Sequence, residues 1–523
     1  MSVSQIYDLE RPGGLVGRPY DELLGAPSTS KGDDDFTRAI ASYSNRDQRF
    51  RVAKRSYERQ YAQLYFSRLM RLSSAMKERV QRLWPGIPVC SILEVQESRE
   101  TIVIGTLYKN MKLKPSILDE YTKDRGLKAA LGATNFCSDD DSVVLEDDSA
   151  RMSLALPGAV PVAGEAAETC GALLGVQELV TGVVLAVRGM HEPSSRNFVV
   201  SGVCLPGMAP NEHPLPALRS GGLLDAAAAA PDPRDKYIAL ASGLCLGGSR
   251  TDMLRTQLAL DFLTGNLGSP QEQQLAAQIV RLVVAGGSIG HLDALASAAA
   301  PSYGAAGRMG GGAGGGAGSG ALQSVRDLDL LMAEAASGLP VDVMPGPEDP
   351  ANVALPQQPM HRCLFPAAGS HGCFVRATNP HELEVEGVRL LGTSGQNVDD
   401  MAKYCAVRDR LTLMQRSLSM RHLAPTAPDT LTCYPFVDDD PFVLSDTPHV
   451  YFVGNQPEFG CRLVQLQGPG GGAEGAAAAG GGGTVVRLVA VPSFSRSGTI
   501  VLLNLRTLQC HPLRFDGSLG LGA

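Results

Sequence analysis

The sequence predicts a two-domain protein in which a small closed β-barrel is followed by a larger α/β sandwich. Its 523 residues exceed what one ordinary hydrophobic core organises. Short β-rich runs fill the chain between Ile87 and Pro206, and alternating strands and helices replace them from Tyr237 onward. We therefore expect a flexible tail over residues 1–45, a first domain over 46–222 and a second over 235–523.

Composition argues against several classes of protein. A net charge of −8 disfavours a chain whose main task is to wrap phosphates. No run approaches the roughly 20 apolar residues that cross a bilayer, and the start of the chain does not resemble a secretory signal. The 11 cysteines include no C-x-x-C pair, which is typical of reduced thiols in the cytosol or nucleus.

The first domain opens with a basic segment, since 11 Lys or Arg and only 3 Asp or Glu lie between Arg46 and Arg82. Its regularly spaced apolar residues predict one helix with an apolar stripe. These residues are Tyr57, Tyr61, Tyr65, Leu69 and Leu72. Such a helix either contacts nucleic acid or packs on its own domain with its charges in water, and packing is the commoner arrangement.

The β-rich part of the first domain contains five candidate strands separated by turn residues, with a loop over Gly189–Arg196. The strands are Thr101–Tyr108, Ser142–Leu145, Arg151–Leu156, Leu179–Val187 and Asn197–Leu205. Five short strands suit a barrel of the OB type. This span has 10 Lys or Arg and 16 Asp or Glu, so it lacks the basic groove that holds single strands. We expect a protein-binding barrel.

The second domain follows a linker over Leu223–Arg234 and alternates strands with helices. Predicted strands are Tyr237–Ala241, Ile279–Ala285, Pro340–Met344, His449–Val453, Val485–Val491, Ile500–Leu505 and Leu508–Phe515. One predicted helix ends at Gly265, a second spans Leu322–Ala336, and two more contain Asn397 and Met414. Gly/Ala-rich runs over 304–321 and 468–483 lack periodic apolar positions, so we expect mobile surface insertions there.

Several ordered motifs of this domain resemble the small B-subunits of eukaryotic replicative DNA polymerases, the delta type most closely. The matching segments are Ser242–Gly248, Val283–Gly287, Val341–Gly346, Leu355–Pro359, Leu391–Asn397, Pro425–Thr430 and His449–Phe452. The resemblance runs from about Arg46 to the C-terminus. It implies an OB-fold followed by a calcineurin-like phosphoesterase α/β sandwich.

The resemblance also locates positions where active phosphoesterases carry the ligands of two divalent ions. Here those positions read Gly243, Cys245, Gly287, Gly290, Pro347, Glu348, Ser394, Asn455 and Pro457. Glycine and proline side chains cannot coordinate a cation, and the nearby Asp349 alone cannot hold two. We therefore expect a catalytically dead fold with no metal and no other cofactor.

Two other groups of residues could imitate a site. The pairs His361/Cys363 and His371/Cys373 could bind zinc, although structural zinc usually uses tighter pairs. The acidic run Asp438–Asp440 is expected to be a solvated turn, and Asp139–Asp141 and Glu146–Asp148 are expected to be acidic loops.

Three functions compete at this stage. The resemblance implies a non-catalytic nuclear subunit of polymerase delta that binds the C-terminal region of the catalytic subunit and a third subunit, and meets DNA indirectly. An active metallophosphoesterase or nuclease would need the missing ligands. A freestanding OB protein that binds single-stranded DNA would need a basic groove.

Overall fold

The computed structural model describes residues 36–114, 135–211, 235–290, 316–466 and 484–516, apart from residues 54, 57, 165, 168–170 and 250. The predicted linker over Leu223–Arg234 and the run over 468–483 lie outside the described residues. The run predicted over 304–321 does so only in part, because residues 316–321 begin a helix. No helix in the described ranges is both long and apolar enough to cross a membrane.

The first described residues are attached to the second domain. Strand β1 (Tyr43–Asn45) pairs antiparallel with residues 383–385 of that domain. The Arg38 guanidinium donates to the carbonyls of Leu263, Ala276 and Ile279 at 2.7 to 2.8 Å. The expected flexible tail is therefore wrong for residues 36–45, because these contacts hold them in place. Residues 1–35 lie outside the described part.

Helix α1 (Ala62–Leu83) packs one face on the barrel. Leu69 and Leu72 share an apolar cluster with barrel residues, which confirms that part of the predicted stripe. Tyr61 lies just before the helix and is exposed, so the buried stripe does not extend back to it. The predicted start near Arg46 is wrong. Residues 46–61 instead form a 3₁₀ turn and an irregular segment, whose amides bond to side chains of the second domain rather than to helical carbonyls.

The barrel alternates buried and exposed residues along its strands; in Arg151–Ala155, for example, Met152 and Leu154 are buried and Arg151 and Ser153 exposed. The strands of this domain are β2 (Val89–Cys90), β3 (Glu100–Asn110), β4 (Ser142–Glu146), β5 (Arg151–Ala155), β6 (Val160–Pro161), β7 (Leu173–Leu174), β8 (Val184–Glu192) and β9 (Asn197–Cys204). The barrel strands pair in the order β3-β4-β5-β9-β8, and β8 also pairs with β3, which closes the barrel. Strand β2 pairs with β3 outside this ring.

One barrel strand begins later than its sequence pattern predicts. The predicted strand Leu179–Val187 begins only at Val184, because Gly182 turns the chain with a φ of +87° just before it. Pairing with β3 and β9 then carries this strand through Glu192, so the first half of the predicted loop over Gly189–Arg196 is hairpin strand.

Two six-stranded sheets face each other in the second domain. Its strands are β10 (Tyr237–Ala241), β11 (Ile279–Ala285), β12 (Val341–Met344), β13 (Phe374–Arg376), β14 (His381–Val385), β15 (Val388–Thr393), β16 (Val450–Gln456), β17 (Gly460–Leu466), β18 (Thr484–Pro492), β19 (Thr499–Asn504) and β20 (Cys510–Arg514). One sheet has the order β13-β12-β11-β10-β19-β20 and the other β1-β14-β15-β16-β18-β17. The predicted bounds of β10 and β11 are confirmed; β13, β14, β15 and β17 were not predicted.

Helices cover the outer faces of both sheets. They are α2 (Met253–Thr264), α3 (Pro270–Gln278), α4 (Gly316–Gly338), α5 (Gln396–Tyr404), α6 (Arg410–Ser419) and the short α7 (Phe494–Ser497). The predicted end of α2 at Gly265 is confirmed, with that glycine in the left-handed region. The apolar core continues between domains, since Leu107 and Val183 of the barrel cluster with Val398 and Met414 of α5 and α6.

Candidate functional site

The loops predicted to carry metal ligands meet at one edge of the sandwich. Strands β10, β11 and β12 run parallel in one sheet, and β15 and β16 run parallel in the other, so their carboxyl ends face one another. A Cβ placed on Gly287 would lie 3.1 Å from the Cα of Gly243, and one on Gly286 would lie 2.5 Å from the Cβ of Ser394. We call the region around Gly243, Gly287, Asp349, Ser394 and Asn455 the ligand-loop edge.

Not every predicted position takes part in this convergence. Cys245 and Gly290 lie against each other beside the centre, since a Cβ on Gly290 would come within 2.7 Å of the Cys245 carbonyl oxygen. Pro347, Glu348 and Pro457 are exposed instead. The resemblance placed predicted ligand positions on loops that meet at this edge, but it did not indicate which side chains point inward.

Asn455 fills the centre of the ligand-loop edge. Its Nδ2 donates to the carbonyls of Ser394 at 2.8 Å and Ala285 at 3.2 Å. Its Oδ1 would lie 2.6 Å from a Cβ on Gly287 and 2.8 Å from one on Gly243. The residue has a φ of +58°, a left-handed conformation that asparagine tolerates better than most residues. A neutral amide thus occupies the space between the loops.

Asp349 is the buried carboxylate nearest to this centre, and backbone amides already surround it. It accepts hydrogen bonds from the N–H groups of Gly287, Ser288, Ile289 and Gly346 at 2.7 to 3.2 Å. Burial raises the pKa of its carboxyl, and the four donors oppose that rise. The side chain ties the loops after β11 and β12 together, so its oxygens are engaged in holding structure.

Ser394, one of the predicted ligand positions, lies in a network of neutral groups. Its Oγ accepts from Asn379 Nδ2 at 2.7 Å, and its N–H donates to Asn379 Oδ1 at 3.0 Å. Gln357 and Gln396 extend the network with bonds of 2.9 to 3.0 Å. These amides satisfy one another in the buried interior, and none of them carries charge.

The donor set does not fit a pair of divalent cations. Such a pair needs several carboxylate, imidazole or carbonyl ligands with free lone pairs. The converging side chains here are glycine hydrogens, one hydroxyl, one amide and one fully engaged carboxylate. In the described part of the chain, no group of three or more His, Cys, Asp or Glu could hold a metal ion.

The two His/Cys pairs considered for zinc are used locally. His361 Nδ1 accepts from the Cys363 N–H at 3.3 Å and caps a 3₁₀ turn. The Cys373 thiol donates to the Ala336 carbonyl at 3.1 Å. These pairs serve turn and packing contacts within the second domain.

A fully buried ion pair lies between the two domains, and the sequence analysis did not predict it. Arg68 of α1 is fully buried; its Nε donates to Asp440 at 2.8 Å, and its other nitrogens donate to the carbonyls of Gly182, Pro425 and Ala427 at 2.7 to 3.1 Å. His422 Nε2 lies 2.8 Å from the same Asp440 oxygen. The expectation that Asp438–Asp440 is a solvated turn is therefore wrong for Asp440, whose partners enclose it.

A second buried ion pair lies within the first domain, beside the same interface. Lys109 of β3 lies with its Nζ 3.4 Å from an Asp141 oxygen, and both side chains are fully buried. The Nζ also donates to the Tyr404 carbonyl of α5 at 3.1 Å. The Asp139–Asp141 loop is therefore not wholly exposed as expected. We call Arg68, Lys109, Asp141, His422 and Asp440 the domain seam.

The barrel, the sandwich and the degenerate loops define the class of small accessory subunits of replicative DNA polymerases. The family model of the DNA polymerase delta subunit OB-fold domain matches residues 60–203, and that of the B subunit of DNA polymerases alpha and epsilon matches residues 238–461. The chain is 39% identical over 482 residues to the DNA polymerase delta small subunit of Oryza sativa subsp. japonica, covering 92% of this chain and 99% of that protein.

Two further relatives agree. The DNA polymerase delta small subunit of Arabidopsis thaliana is 39% identical over 92% of this chain and 96% of its own length. DNA polymerase delta subunit 2 of Drosophila melanogaster is 33% identical over 92% of this chain and 98% of its own length. The chain belongs to the family of DNA polymerase delta small subunits, accessory subunits of that polymerase.

Proposed function

We propose that this chain is a non-catalytic scaffold of a nuclear DNA polymerase delta, which binds the C-terminal region of the catalytic subunit and a third subunit. The observation that carries the non-catalytic part is Asn455, whose amide occupies the centre where the phosphoesterase fold would hold its cations. The nine degenerate positions at or beside this edge support the same conclusion, because none of them is a histidine or an aspartate.

A metal analysis of the purified full chain tests the absence of catalysis. We expect less than about 0.1 Mn, Fe or Zn per chain and no phosphodiester hydrolysis above buffer, because too few free ligands converge. Two metals per chain, together with hydrolysis that is lost in Asp349→Ala, would show that the site is active.

Co-expression tests the scaffold role. A stable interface between subunits commonly buries more than about 2,000 Å² of mainly apolar surface, and apolar burial responds weakly to salt. We therefore expect a one-to-one complex with the C-terminal region of the delta catalytic subunit that survives gel filtration at moderate salt. The corresponding region of an alpha or epsilon catalytic subunit is the matched control. Equal retention of all three would contradict assignment to delta, and retention of none would contradict the scaffold role.

A further inference from the structure

The basic segment that precedes α1 divides into two kinds of arginine. Arg46 and Arg49 contact the carboxylates of Glu384 and Glu382 at 2.9 and 3.0 Å. Farther on, Arg68 is buried against Asp440. The intervening arginines behave differently, because Arg51, Arg55 and Arg59 are exposed and, within the described part of the chain, their guanidinium groups have neither a hydrogen-bond nor an ion-pair partner.

The backbone that carries these three arginines is held to the second domain. Gln358 clamps it with both ends of its amide: Oε1 accepts from the Val52 N–H at 3.0 Å, and Nε2 donates to the Phe50 carbonyl at 2.9 Å. The hydroxyl of Tyr434 then accepts from the Ser56 N–H at 2.7 Å. Anchors at residues 52 and 56 alternate with the arginines at 51 and 55. The guanidinium groups are thus presented from a fixed backbone, not from a free tail.

The spacing of the arginines suits an extended ligand. Four residues of irregular chain span at most about 14 Å, so the segment can place its charges along a polymer instead of around one ion. The only acidic residue between Arg49 and Arg59 is Glu58, in a chain whose net charge is −8. The described residues from Arg51 to Gln60 expose no large apolar side chain.

We propose that Arg51, Arg55 and Arg59 bind the phosphate backbone of nucleic acid. A protein partner would be expected to bury an apolar centre, whereas the described residues of this segment present charge and no exposed large apolar side chain, which is the pattern of phosphate contact. The exposed side chains of Tyr61, Phe66 and Met70 lie at and beyond the start of α1, outside the segment that carries the three arginines. On the helix itself, Arg68 is turned inward and Arg71 pairs with Asp439, so these two arginines are already engaged. The proposal goes beyond the scaffold role and relies on it only for bringing DNA near.

The test measures DNA binding by two variants of the full chain, each of which removes three exposed arginines. The variant Arg51→Ser/Arg55→Ser/Arg59→Ser is compared with Arg196→Ser/Arg326→Ser/Arg362→Ser, which removes three exposed arginines from other elements. Fluorescence anisotropy with a single strand and a duplex of about 30 nucleotides, over about 25 to 200 mM salt, distinguishes the two nucleic-acid sources. Loss of three phosphate contacts lowers the log–log salt slope by about 2 for the single strand or about 3 for the duplex.

We expect that reduction only in the first variant, whereas Glu58→Gln should raise the affinity without reducing the slope. Unchanged DNA affinity and slope in the first variant, or an equal loss in the control variant, would overturn the proposal. It would also be overturned if the first variant kept its DNA binding but lost retention of another polymerase subunit, since the surface would then bind protein. Co-expression with the catalytic subunit, scored separately, shows whether the scaffold role itself has failed.

Discussion

The ligand-loop edge and the domain seam differ in the charge of their buried side chains. At the ligand-loop edge, glycines bring backbones into contact, a neutral asparagine fills the centre, and the one carboxylate is enclosed by four amides. At the seam, Arg68 with Asp440 and Lys109 with Asp141 form ion pairs between fully buried side chains. Buried ion pairs therefore lie at and beside the interface of the two domains, whereas a neutral amide fills the centre of the ligand-loop edge.

This comparison predicts that the seam is the more sensitive of the two. Removing one partner of a buried ion pair leaves the other charge uncompensated, which costs about 3 to 5 kcal/mol. We expect Arg68→Ala to lower the free energy of unfolding by that amount, as measured by urea denaturation of the full chain. Asp440 and three carbonyls would each lose a donor.

Arg71→Ala is the matched control for the seam. Arg71 lies one turn farther along α1 and pairs with Asp439, whose side chain is 61% exposed, so its loss should cost at most about 1 kcal/mol. If Arg68→Ala and Arg71→Ala lowered the free energy of unfolding equally, the buried ion pair would contribute no more to stability than the exposed one.

The three aspartates at 438–440 show a feature that the sequence alone could not predict. Asp438, Asp439 and Asp440 look alike in the chain, but Asp440 is buried because Arg68, 372 residues away, reaches it. No local pattern reports such a partner. By contrast, the apolar spacing correctly predicted the buried positions Leu69 and Leu72 of α1, because burial of one helix face leaves a period in the sequence. The bounds of β10 and β11 were predicted for another reason: every residue of these strands is buried, which leaves a short run dominated by apolar residues.

The ligand-loop edge was predictable in part for a similar reason. Motif order located the five loops, because strands of a sandwich deliver their carboxyl ends to one edge. The inward position of Asn455 was not predictable, since it depends on a left-handed backbone conformation and on carbonyls from two other loops. Strand β13 was missed because it is only three residues long, and β14 because the polar residues His381 and Glu382 are among its buried positions.

His381, which lies away from the seam, and His422, which lies in it, should make the stability of the fold depend on pH in opposite directions. Burial alone would lower the pKa of His381, but contacts with Asp342 and Asp47 outweigh it and raise the pKa to about 9. Its contribution is therefore fully present below the unfolded pKa near 6.5 and is lost as pH rises through about 9, a change of about 3 kcal/mol. His381→Asn should remove this slope from a profile of stability against pH between about 6 and 10.

The seam histidine is the counterpart. Burial and the charge of Arg68 lower the pKa of His422 to about 4, despite the nearby Asp440. Its contribution is present above the unfolded pKa and is lost as pH falls toward 4. His422→Asn should change only the acid side of the profile, and a change on the alkaline side would contradict this assignment.

Restoring side chains at the ligand-loop edge should be costly. Gly287 has a φ of +69°, and a Cβ there would lie 2.6 Å from Asn455 Oδ1. We expect Gly287→Ala to destabilise by at least about 2 kcal/mol, from left-handed strain and overpacking together. Gly387→Ala, at a φ of +78° with open space around it, is the control and should cost only the strain of about 1 kcal/mol.

A second substitution, at Asn455, distinguishes two causes of the instability expected for Gly287→Ala: collision of the new Cβ with Asn455 and strain of the left-handed backbone. Asn455→Gly in the Gly287→Ala background removes the atom that the new Cβ meets, so thermal unfolding should show the double variant losing less than the sum of the two single losses. If the loss of stability in the double variant equalled the sum of the two single losses, the new Cβ at residue 287 would not be in collision with Asn455.

The smallest effect is expected from the first Gly/Ala-rich run. Helix α4 begins at Gly316, so only residues 304–315 of the predicted insertion can be exchanged without cutting into it. Replacing them with a Gly/Ser connector of about half the length should change the free energy of unfolding by less than about 1 kcal/mol, because the entropy of closing a loop grows only with the logarithm of its length. Urea denaturation beside unmodified chain measures the change, and a connector of unchanged length controls for composition. A cooperative loss of folding in the shortened variant alone would show that the run spans a required distance, and loss in both would show that its own residues pack against the domain.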